Sequence, residues 1–426
     1  MQVNLTELTR YLEGRLPKAL AILEQMVAIN SFTANRGGVN HLGAFTARVF
    51  EDLGFKSRVV PAKAADLGDH LVLQRSGRQG SKGPAMAMIS HLDTVFPAEE
   101  ESRNDFHWRP EGERIYGPGT VDIKGGTMMI YLVLSAMQAL YREAFEATRW
   151  ILLLNAAEEI LDPAFGQVAR ALIPADALAC LVFEGGRLQD NQFSIVAARK
   201  GMVTYRIEAE GKGAHAGSNH QGGANAITQL ARTVDAIAEM TDYQRNLTFN
   251  VGAIKGGTVS NRVPHYAVAQ GEMRAYSAEV LEEGVQRLLA LQGSNSVHSH
   301  KGGFSCQVRV DVRQKWGPWP PNAATDGLLA HWQEAARELG LEVVREERGG
   351  LSDGNFIWDH APTLDGLGVS GGNAHCSERS ADGKKEQEYL ELPSILPKAL
   401  LNTLAILRLL EAHSEAAAGV ARPKDG

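Results

Sequence analysis

Three short runs of the chain are almost wholly apolar, and each ends in, or is followed by, histidine or acidic side chains. They are PAMAMISH (84–91), RWILLLNAA (149–157) and ALACLVFE (177–184). A strand without polar alternation is buried on both faces, which is typical of a parallel sheet covered by helices. Helical patterns alternate with these runs, for example at 4–30 and 127–142. The sequence therefore predicts an α/β domain whose mixed, mainly parallel sheet is flanked by helices.

The pattern changes after Gly201, where predicted strands and helices follow one another in the order β-α-β-β-α-β. This order is typical of a small ferredoxin-like sandwich. The proline-rich segment WGPWPP at 316–321 marks the return to the first domain. We therefore predict that residues 1–201 and 317–426 form the α/β domain and that residues 202–316 form an inserted domain. Residues 414–426 are predicted to be disordered.

The composition excludes several classes of protein. The chain has 426 residues and a net charge of -7, which disfavours binding to nucleic acid. Its three cysteines are too few for a disulfide framework and favour a reducing compartment. The first residues lack the apolar core of a signal peptide, and the apolar runs are too short for a membrane helix. We therefore expect a cytoplasmic protein with neither nucleic acid nor a membrane as a partner.

Potential metal ligands follow the predicted strands. They are His91, Asp122, Glu158, Glu159, Glu184 and His375. Each has an ordinary structural explanation when taken alone, such as a turn former or a solvated strand end. Taken together they are explained by convergence, because parallel strands deliver their carboxyl ends to one edge of a sheet. Zinc takes imidazole nitrogen and carboxylate oxygen, and one carboxylate can bridge two ions.

The adjacent acids Glu158 and Glu159 are the most informative of these residues. Two neighbouring carboxylates repel each other and resist burial. The pair makes sense if one carboxylate binds a cation while the other stays free to take a proton from water. A phosphate-binding motif does not fit, because the glycine-rich loop at 117–126 lacks the ending of a P-loop.

Eight motifs occur in an informative order along the chain. They are SHLDTVFP, GPGTVDIKGG, NAAEE, FEGG, GKGAHAG, SNRVP, GEMRA and GGLSDGN, the last followed by TLDGLGVSGGNAH. In this order they resemble the dinuclear zinc exopeptidase and aminoacylase family, most closely its bacterial glutamate carboxypeptidase branch. The resemblance covers nearly the whole chain. It implies two divalent metal ions, zinc by default, and an inserted lid domain that also forms a homodimer.

The resemblance also implies a role for individual residues. Asp122 would bridge the two ions, with His91 and Glu184 on one ion and Glu159 and His375 on the other. Glu158 would be the general base, and Asp93 would orient the imidazole of His91. In the lid, His215 would stabilise the oxyanion, Asn261 would contact the substrate and Arg274 would bind its terminal carboxylate.

We therefore expect a zinc-dependent carboxypeptidase that hydrolyses the amide bond next to a C-terminal amino acid, with glutamate as the candidate residue. Its substrate would be a small peptide or an N-acyl amino acid. An N-acyl amino acid deacylase with the same mechanism is the nearest alternative. A more remote alternative is a non-catalytic binding protein, whose signature would be the loss of a ligand or of the base. One departure from the family is the long polar stretch at 376–387, interpreted as an extra loop near the site.

Overall fold

The computed structural model describes residues 3–80 and 83–420. The helices are α1 Leu5–Val27, α2 Arg36–Glu51, α3 Ala98–Arg103, α4 Lys124–Leu140, α5 Arg142–Ala147, α6 Pro163–Leu172, α7 Ala226–Ala238, α8 Ala278–Leu289, α9 Ala323–Glu338 and α10 Leu392–Val420. Among the helices of this described part, none is both long enough and apolar enough to cross a membrane.

The strands are β1 Lys56–Val60, β2 His70–Arg75, β3 Ala85–His91, β4 Arg109–Glu111, β5 Arg114–Tyr116, β6 Arg149–Asn155, β7 Ala179–Val182, β8 Arg187–Gln189, β9 Gln192–Arg199, β10 Gly201–Glu210, β11 Ala214–His215, β12 Thr248–Gly256, β13 Arg262–Val263, β14 Tyr266–Ala275, β15 Gln307–Trp316, β16 Glu342–Arg348, β17 Thr363–Leu364, β18 Gly371–Gly372 and β19 Tyr389–Glu391.

The chain divides into two compact units. The first comprises Met1–Ala197, Asn322–Glu347 and Ser352–Gly426, and the second comprises Ala198–Pro321 and Arg348–Leu351. The second unit is thus wider at both ends than the insertion that we predict at 202–316, and it includes a short segment from later in the chain.

A six-stranded sheet forms the centre of the first unit, in the order β1-β2-β6-β3-β7-β17. Strands β6, β3, β7 and β17 are parallel to one another, whereas β1 and β2 form an edge in which β1 is antiparallel to β2 and β2 is antiparallel to β6. This arrangement confirms the predicted α/β fold with a mixed, mainly parallel sheet. Two smaller sheets are separate from this one, with the strand orders β18-β19-β5-β4 and β16-β9-β8.

The central strands are apolar throughout because each supplies two hydrophobic cores. Along β3, Met86 and Met88 belong to the larger core, whereas Ala87 and Ile89 belong to the smaller one. Helices α1, α4, α9 and α10 contribute to the larger core, and α6 contributes to the smaller one. Burying such a side chain contributes about 1.5–3 kcal/mol, so neither face tolerates polar alternation.

The start of α4 and the end of α10 differ from the sequence prediction. Helix α4 begins at Lys124, three residues before the predicted start at Thr127. The reason is close packing: a Cβ atom on Gly125 would lie 2.2 Å from the carbonyl oxygen of Thr120, and one on Gly126 would lie 2.0 Å from that of Phe183. The prediction of a disordered tail at 414–426 is wrong as far as Val420, where α10 ends, and residues 421–426 lie outside the described residues.

The second unit contains the predicted succession of elements, β10-α7-β12-β14-α8-β15. Its sheet is antiparallel, in the order β12-β14-β10-β15. One face carries the apolar residues of β10, including Val203 and Ile207, which share a core with Leu230 of α7 and Leu281 of α8. Strands β11 and β13 form a separate two-stranded antiparallel sheet.

Candidate metal centre

The central sheet brings most of the predicted ligands to one edge. His91 is the last residue of β3, the Glu158–Glu159 pair follows the end of β6, and Glu184 follows the end of β7. Because β3 is parallel to both β6 and β7, the carboxyl ends of all three strands lie at the same edge. Asp122 and His375 come from loops, the first before α4 and the second after β18.

Asp122 lies between the two histidines. Its Oδ1 atom is 3.0 Å from Nε2 of His91, and its Oδ2 atom is 3.2 Å from Nε2 of His375. Nε2 of His375 is also 3.1 Å from Oε2 of Glu159. Each oxygen of the Asp122 carboxylate thus faces a different imidazole, which is the arrangement that a carboxylate bridging two cations requires.

Glu158 and Glu184 lie on the His91 side of the cluster. Nε2 of His91 is 3.8 Å from Oε1 of Glu184 and 4.0 Å from Oε2 of Glu158. Among the described residues, two sets of three side chains have ligand atoms within 4.8 Å of one another: His91 with Glu158 and Glu184, and His91 with Asp122 and Glu159. The geometry alone therefore leaves Glu158 within reach of a cation as well as of a reacting water.

Asp93 fixes both His91 and the glutamate pair. Nδ1 of His91 is 2.9 Å from the backbone oxygen of Asp93 and 3.5 Å from its carboxylate. The carboxylate instead accepts hydrogen bonds from the backbone N–H groups of Glu158 (3.1 Å) and Glu159 (3.2 Å). It also accepts one from the hydroxyl of Thr33. Asp93 thus orients the imidazole mainly through its backbone, while its side chain holds the turn that carries the two acids.

The electrostatics of the cluster suit a cation. Burial would lower the pKa of His91, but Asp122 and Asp93 outweigh it and raise that pKa well above the ordinary value. Hydrogen bonds to Asp122 and Glu159 raise the pKa of His375 to about 10. Burial raises the pKa of Glu158 and of Glu159, and neighbouring carboxylates raise both further. Crowded carboxylates with two imidazoles form a donor set that fits divalent ions such as zinc.

Glu388 is a buried acid that is not among the residues predicted from the sequence. Its Oε1 atom accepts hydrogen bonds from the backbone N–H groups of Val121 (3.0 Å) and Asp122 (3.2 Å). Burial, followed by the charge of Asp122, raises the pKa of Glu388 to about 8. The residue therefore supports the loop that presents Asp122. In the sequence, Glu388 is marked only by its position directly before the short segment that becomes β19.

The polar stretch at 376–387 lies between β18 and β19, just after His375. Its last residues are tied to the β4–β5 pair. Glu386 binds Arg114 (2.5 Å) and accepts a hydrogen bond from the hydroxyl of Tyr116 (2.8 Å), and Gln387 accepts one from Arg109 (2.9 Å). The stretch is therefore anchored at the end that leads to β19.

The remaining predicted residues belong to the second unit. His215 is exposed on β11, and its Nδ1 atom accepts hydrogen bonds from the backbone N–H groups of Gly217 and Ser218, both at 3.1 Å. This leaves the proton of a neutral ring on Nε2. The backbone oxygen of Asn261 accepts a hydrogen bond from Ala216, the residue after His215. His215 and Asn261 are thus held close to each other by the β11–β13 pair.

Arg274 is held by two neighbours within the second unit. Its Nε and Nη2 atoms donate to the carboxylate of Glu272, at 2.8 and 3.2 Å, and its Nη1 atom donates to the backbone oxygen of Gly349 at 2.8 Å. These contacts use three of the five N–H groups of a guanidinium. One N–H group on each terminal nitrogen is not used by these contacts.

Comparison with known proteins agrees with the geometry of the cluster. The sequence profile of "Peptidase family M20/M25/M40" matches residues 87–402. Carboxypeptidase G2 of Pseudomonas sp. (strain RS-16) is 27% identical over 406 residues, which is 90% of this chain and 87% of the relative. Succinyl-diaminopimelate desuccinylase of Methylorubrum populi is 27% identical over 376 residues, which is 84% of this chain and 91% of the relative.

A solved structure shows the same fold. Aminopeptidase PepT from Bacillus cereus ATCC 10987 has a TM-score of 0.71 and 22% sequence identity, covering 92% of this chain and 98% of that chain. The profile match spans more than half of the chain, from the second residue after the start of β3 into α10. The chain therefore belongs to the peptidase family M20/M25/M40 and is a metal-dependent hydrolase, either a metallopeptidase or an aminoacylase, which confirms the family and the enzyme class that its motifs predict.

Proposed function

We propose that this protein is a carboxypeptidase that releases a C-terminal amino acid, with glutamate as the candidate, from a small peptide or an N-acyl amino acid. The observation that carries the proposal is the Asp122 carboxylate, which faces His91 with one oxygen and His375 with the other. Glu158 lies beside this pair as a carboxylate available for proton transfer. The similarity to a carboxypeptidase over 90% of the chain supports the choice of reaction.

In this proposal His91 and Glu184 would hold one divalent ion, Glu159 and His375 would hold the other, and Asp122 would be a ligand of both. Two such ions, when bound, supply a Lewis acid for the scissile carbonyl and lower the pKa of water from about 15.7 toward about 7. Zinc suits these nitrogen and oxygen ligands, and so do cobalt and manganese.

The chain's own residues then perform the proton transfers and bind the charges. Glu158 acts as general base when it takes a proton from the attacking water. It then acts as general acid when it delivers that proton to the nitrogen of the leaving amine. The Nε2–H group of His215 donates to the carbonyl oxygen as negative charge develops there. Asn261, which precedes β13 and accepts a hydrogen bond from the residue after His215, contacts the substrate. Arg274 binds the C-terminal carboxylate through its two remaining N–H groups.

A deacylase of N-acyl amino acids is the second candidate. The same cluster would hydrolyse a small N-acyl group, and the similarity to a desuccinylase over 84% of the chain supports this alternative. The two functions differ in the size of the acyl portion that is accepted, because Arg274 would bind the same carboxylate in both cases.

A panel of paired substrates tests the proposal. We expect the protein, loaded with zinc, to release glutamate from N-benzoylglycyl-glutamate faster than it hydrolyses N-acetylglutamate, with products identified by mass spectrometry. We also expect release from the matching C-terminal amide to be slower by about 10²-fold, because the amide cannot accept two charge-assisted hydrogen bonds. Faster hydrolysis of N-acetylglutamate would favour the deacylase instead.

The variant Arg274→Ala is the matched control for the C-terminal amide. If Arg274 binds the carboxylate, the variant loses about 10²-fold in kcat/KM on the acid but changes little on the amide, because the two changes remove the same contact. An equal loss on both substrates would show that Arg274 acts on something other than the C-terminal carboxylate.

We further propose a homodimer that forms through the second unit. Strand β12 lies at one edge of the four-stranded sheet, and Ile254 on this strand is 57% exposed. Ile227 on α7 is another exposed apolar side chain of this unit. Exposed sheet edges and apolar residues favour pairing with a second copy. We expect a dimer in sedimentation velocity, a monomer for Ile254→Lys, and a dimer for the control Val59→Lys on β1. A monomeric wild-type protein at micromolar concentration would contradict the proposal.

A cytoplasmic location is proposed on the state of the thiols. Cys180, Cys306 and Cys376 are all free, which fits a reducing compartment. Cell fractionation that places the protein outside the cytoplasm would contradict this assignment.

A further inference from the structure

The turn that carries Glu158 is held by side chains at its first N–H groups and by backbone bonds at its carbonyl groups, where Leu161 donates to Glu158 (2.7 Å) and Asp162 donates to Ala157 (3.3 Å). Four successive backbone N–H groups donate to side-chain acceptors: Ala156 to Nδ1 of His70 (3.1 Å), Ala157 to Oδ1 of Asn155 (3.0 Å), and Glu158 and Glu159 to the carboxylate of Asp93 (3.1 and 3.2 Å). Consecutive backbone N–H groups are usually satisfied by backbone acceptors, so three side chains take over that task at the start of this turn.

Two of the three acceptors are themselves fixed. Asn155 donates from Nδ2 to Oδ1 of Asp353 at 2.8 Å, and the Asp93 carboxylate accepts a hydrogen bond from Thr33 at 2.8 Å. His70 is fixed by packing instead. It is buried at the start of β2, and its ring lies 5.3 Å from the ring of Phe165, centroid to centroid.

The sheet register explains why His70 reaches the turn. Strand β2 pairs antiparallel with β6, and Leu71 lies opposite Leu154. His70 therefore lies level with the end of β6, where the chain leaves the sheet toward Glu158. A side chain at this position contacts the first amide of the turn, and His70 is buried there, so it acts on the turn and not on a substrate.

The hydrogen bond requires a neutral histidine with its proton on Nε2, because a protonated Nδ1 would point a second hydrogen at the amide of Ala156. Burial lowers the pKa of His70, although the charges of Asp162, Asp93 and Asp69 oppose that change. The side chain is thus kept in the form that can accept.

We propose that His70 is a positioning residue for Glu158, which it places by accepting the hydrogen bond from the backbone amide of Ala156. The role rests on the proposed function, in which Glu158 transfers the proton. A reacting group that is displaced by about 1 Å loses about 10²-fold in rate, so the loss of one anchor of this turn is expected to affect turnover rather than substrate affinity.

Two substitutions of His70 separate hydrogen bonding from packing. His70→Asn keeps an acceptor, since the amide oxygen of asparagine occupies a position similar to that of Nδ1, whereas His70→Leu keeps an apolar side chain of similar size without an acceptor. We expect His70→Leu to lower kcat by about 10–10²-fold with KM within about threefold of wild type, and His70→Asn to restore most of the kcat. Metal content, measured by plasma mass spectrometry, should stay the same in all three proteins.

Hydrogen–deuterium exchange supplies a readout that does not depend on catalysis. The peptide that covers residues 150–162 should exchange faster in His70→Leu than in wild type and in His70→Asn, because the amide of Ala156 loses its acceptor. Equal kcat values or equal exchange in the leucine variant would overturn the proposal. If the leucine variant does not melt cooperatively, His70→Ala replaces it, and failure of both to fold would show a structural role and also overturn the proposal.

The design distinguishes this proposal from the proposed function. If wild type hydrolyses none of the substrates, the proposed function fails, whereas the exchange rates still decide whether His70 holds the turn. If wild type is active and the leucine variant is equally active, the proposed function stands and the positioning role of His70 is wrong.

Discussion

Replacing Glu158 by glutamine is expected to lower kcat by about 10³-fold while both metal ions are retained. Glutamine has nearly the same shape as glutamate, but it cannot accept a proton from water. Glu158 is only 8% exposed, and its backbone N–H group is bound by Asp93, so the substitution should leave the turn in place. Steady-state kinetics with metal content measured on the same sample would check this result.

The neighbouring acid provides the matched control. Oε2 of Glu159 is 3.1 Å from Nε2 of His375, so Glu159→Gln is expected to weaken metal binding, in contrast to Glu158→Gln. The comparison is needed because Glu158 also lies in a set of possible ligand atoms with His91 and Glu184. A Glu158→Gln protein that has lost an ion would make Glu158 a ligand, and one with an unchanged kcat would remove it from the reaction.

The fold could be predicted where burial determines every residue of an element. Strand β3 is buried along its whole length and feeds two cores, so its apolar run is visible in the sequence. The start of α4 could not be predicted, because glycine is usually a sign that a helix ends. Gly125 and Gly126 instead allow the helix to approach the carbonyl groups of Thr120 and Phe183, and the contact with Phe183 depends on a part of the fold that is distant in sequence.

The candidate site could be predicted to a similar extent and for a similar reason. His91 and Glu184 are recognisable because polar side chains that follow an apolar strand are unusual, and parallel strands end at one edge. His70 and Glu388 leave no such mark, because each binds the backbone of a distant segment, Ala156 in one case and Asp122 in the other. The sheet register and the path of the chain determine those partners, and neither is apparent in a single sequence.

Removal of the metal ions is the second change for which we expect a large effect, on both hydrolysis and stability. Treatment with a chelator should abolish hydrolysis and lower the apparent Tm by about 5 °C or more, and adding zinc back should restore both. The physical reason is crowding of charge: Asp122, Glu159 and Glu184 lie close to two histidines, and bound cations stabilise this cluster in the folded chain. A ligand present at 100 times its Kd stabilises the folded state by about 2.7 kcal/mol.

Asp122→Asn should reproduce the effect of the chelator without any additive, because a neutral amide cannot supply a charged oxygen to each of two ions. The control is Asp311→Asn, which removes an exposed ion pair with Arg313 in the second unit and should change stability by less than about 1 kcal/mol. One oxygen of Asp122 faces His91 and the other faces His375. Loss of this carboxylate should therefore reduce the content of both ions and not of one alone. Full activity in a protein shown to contain no metal, or loss of a single ion in Asp122→Asn, would disprove the shared-carboxylate arrangement.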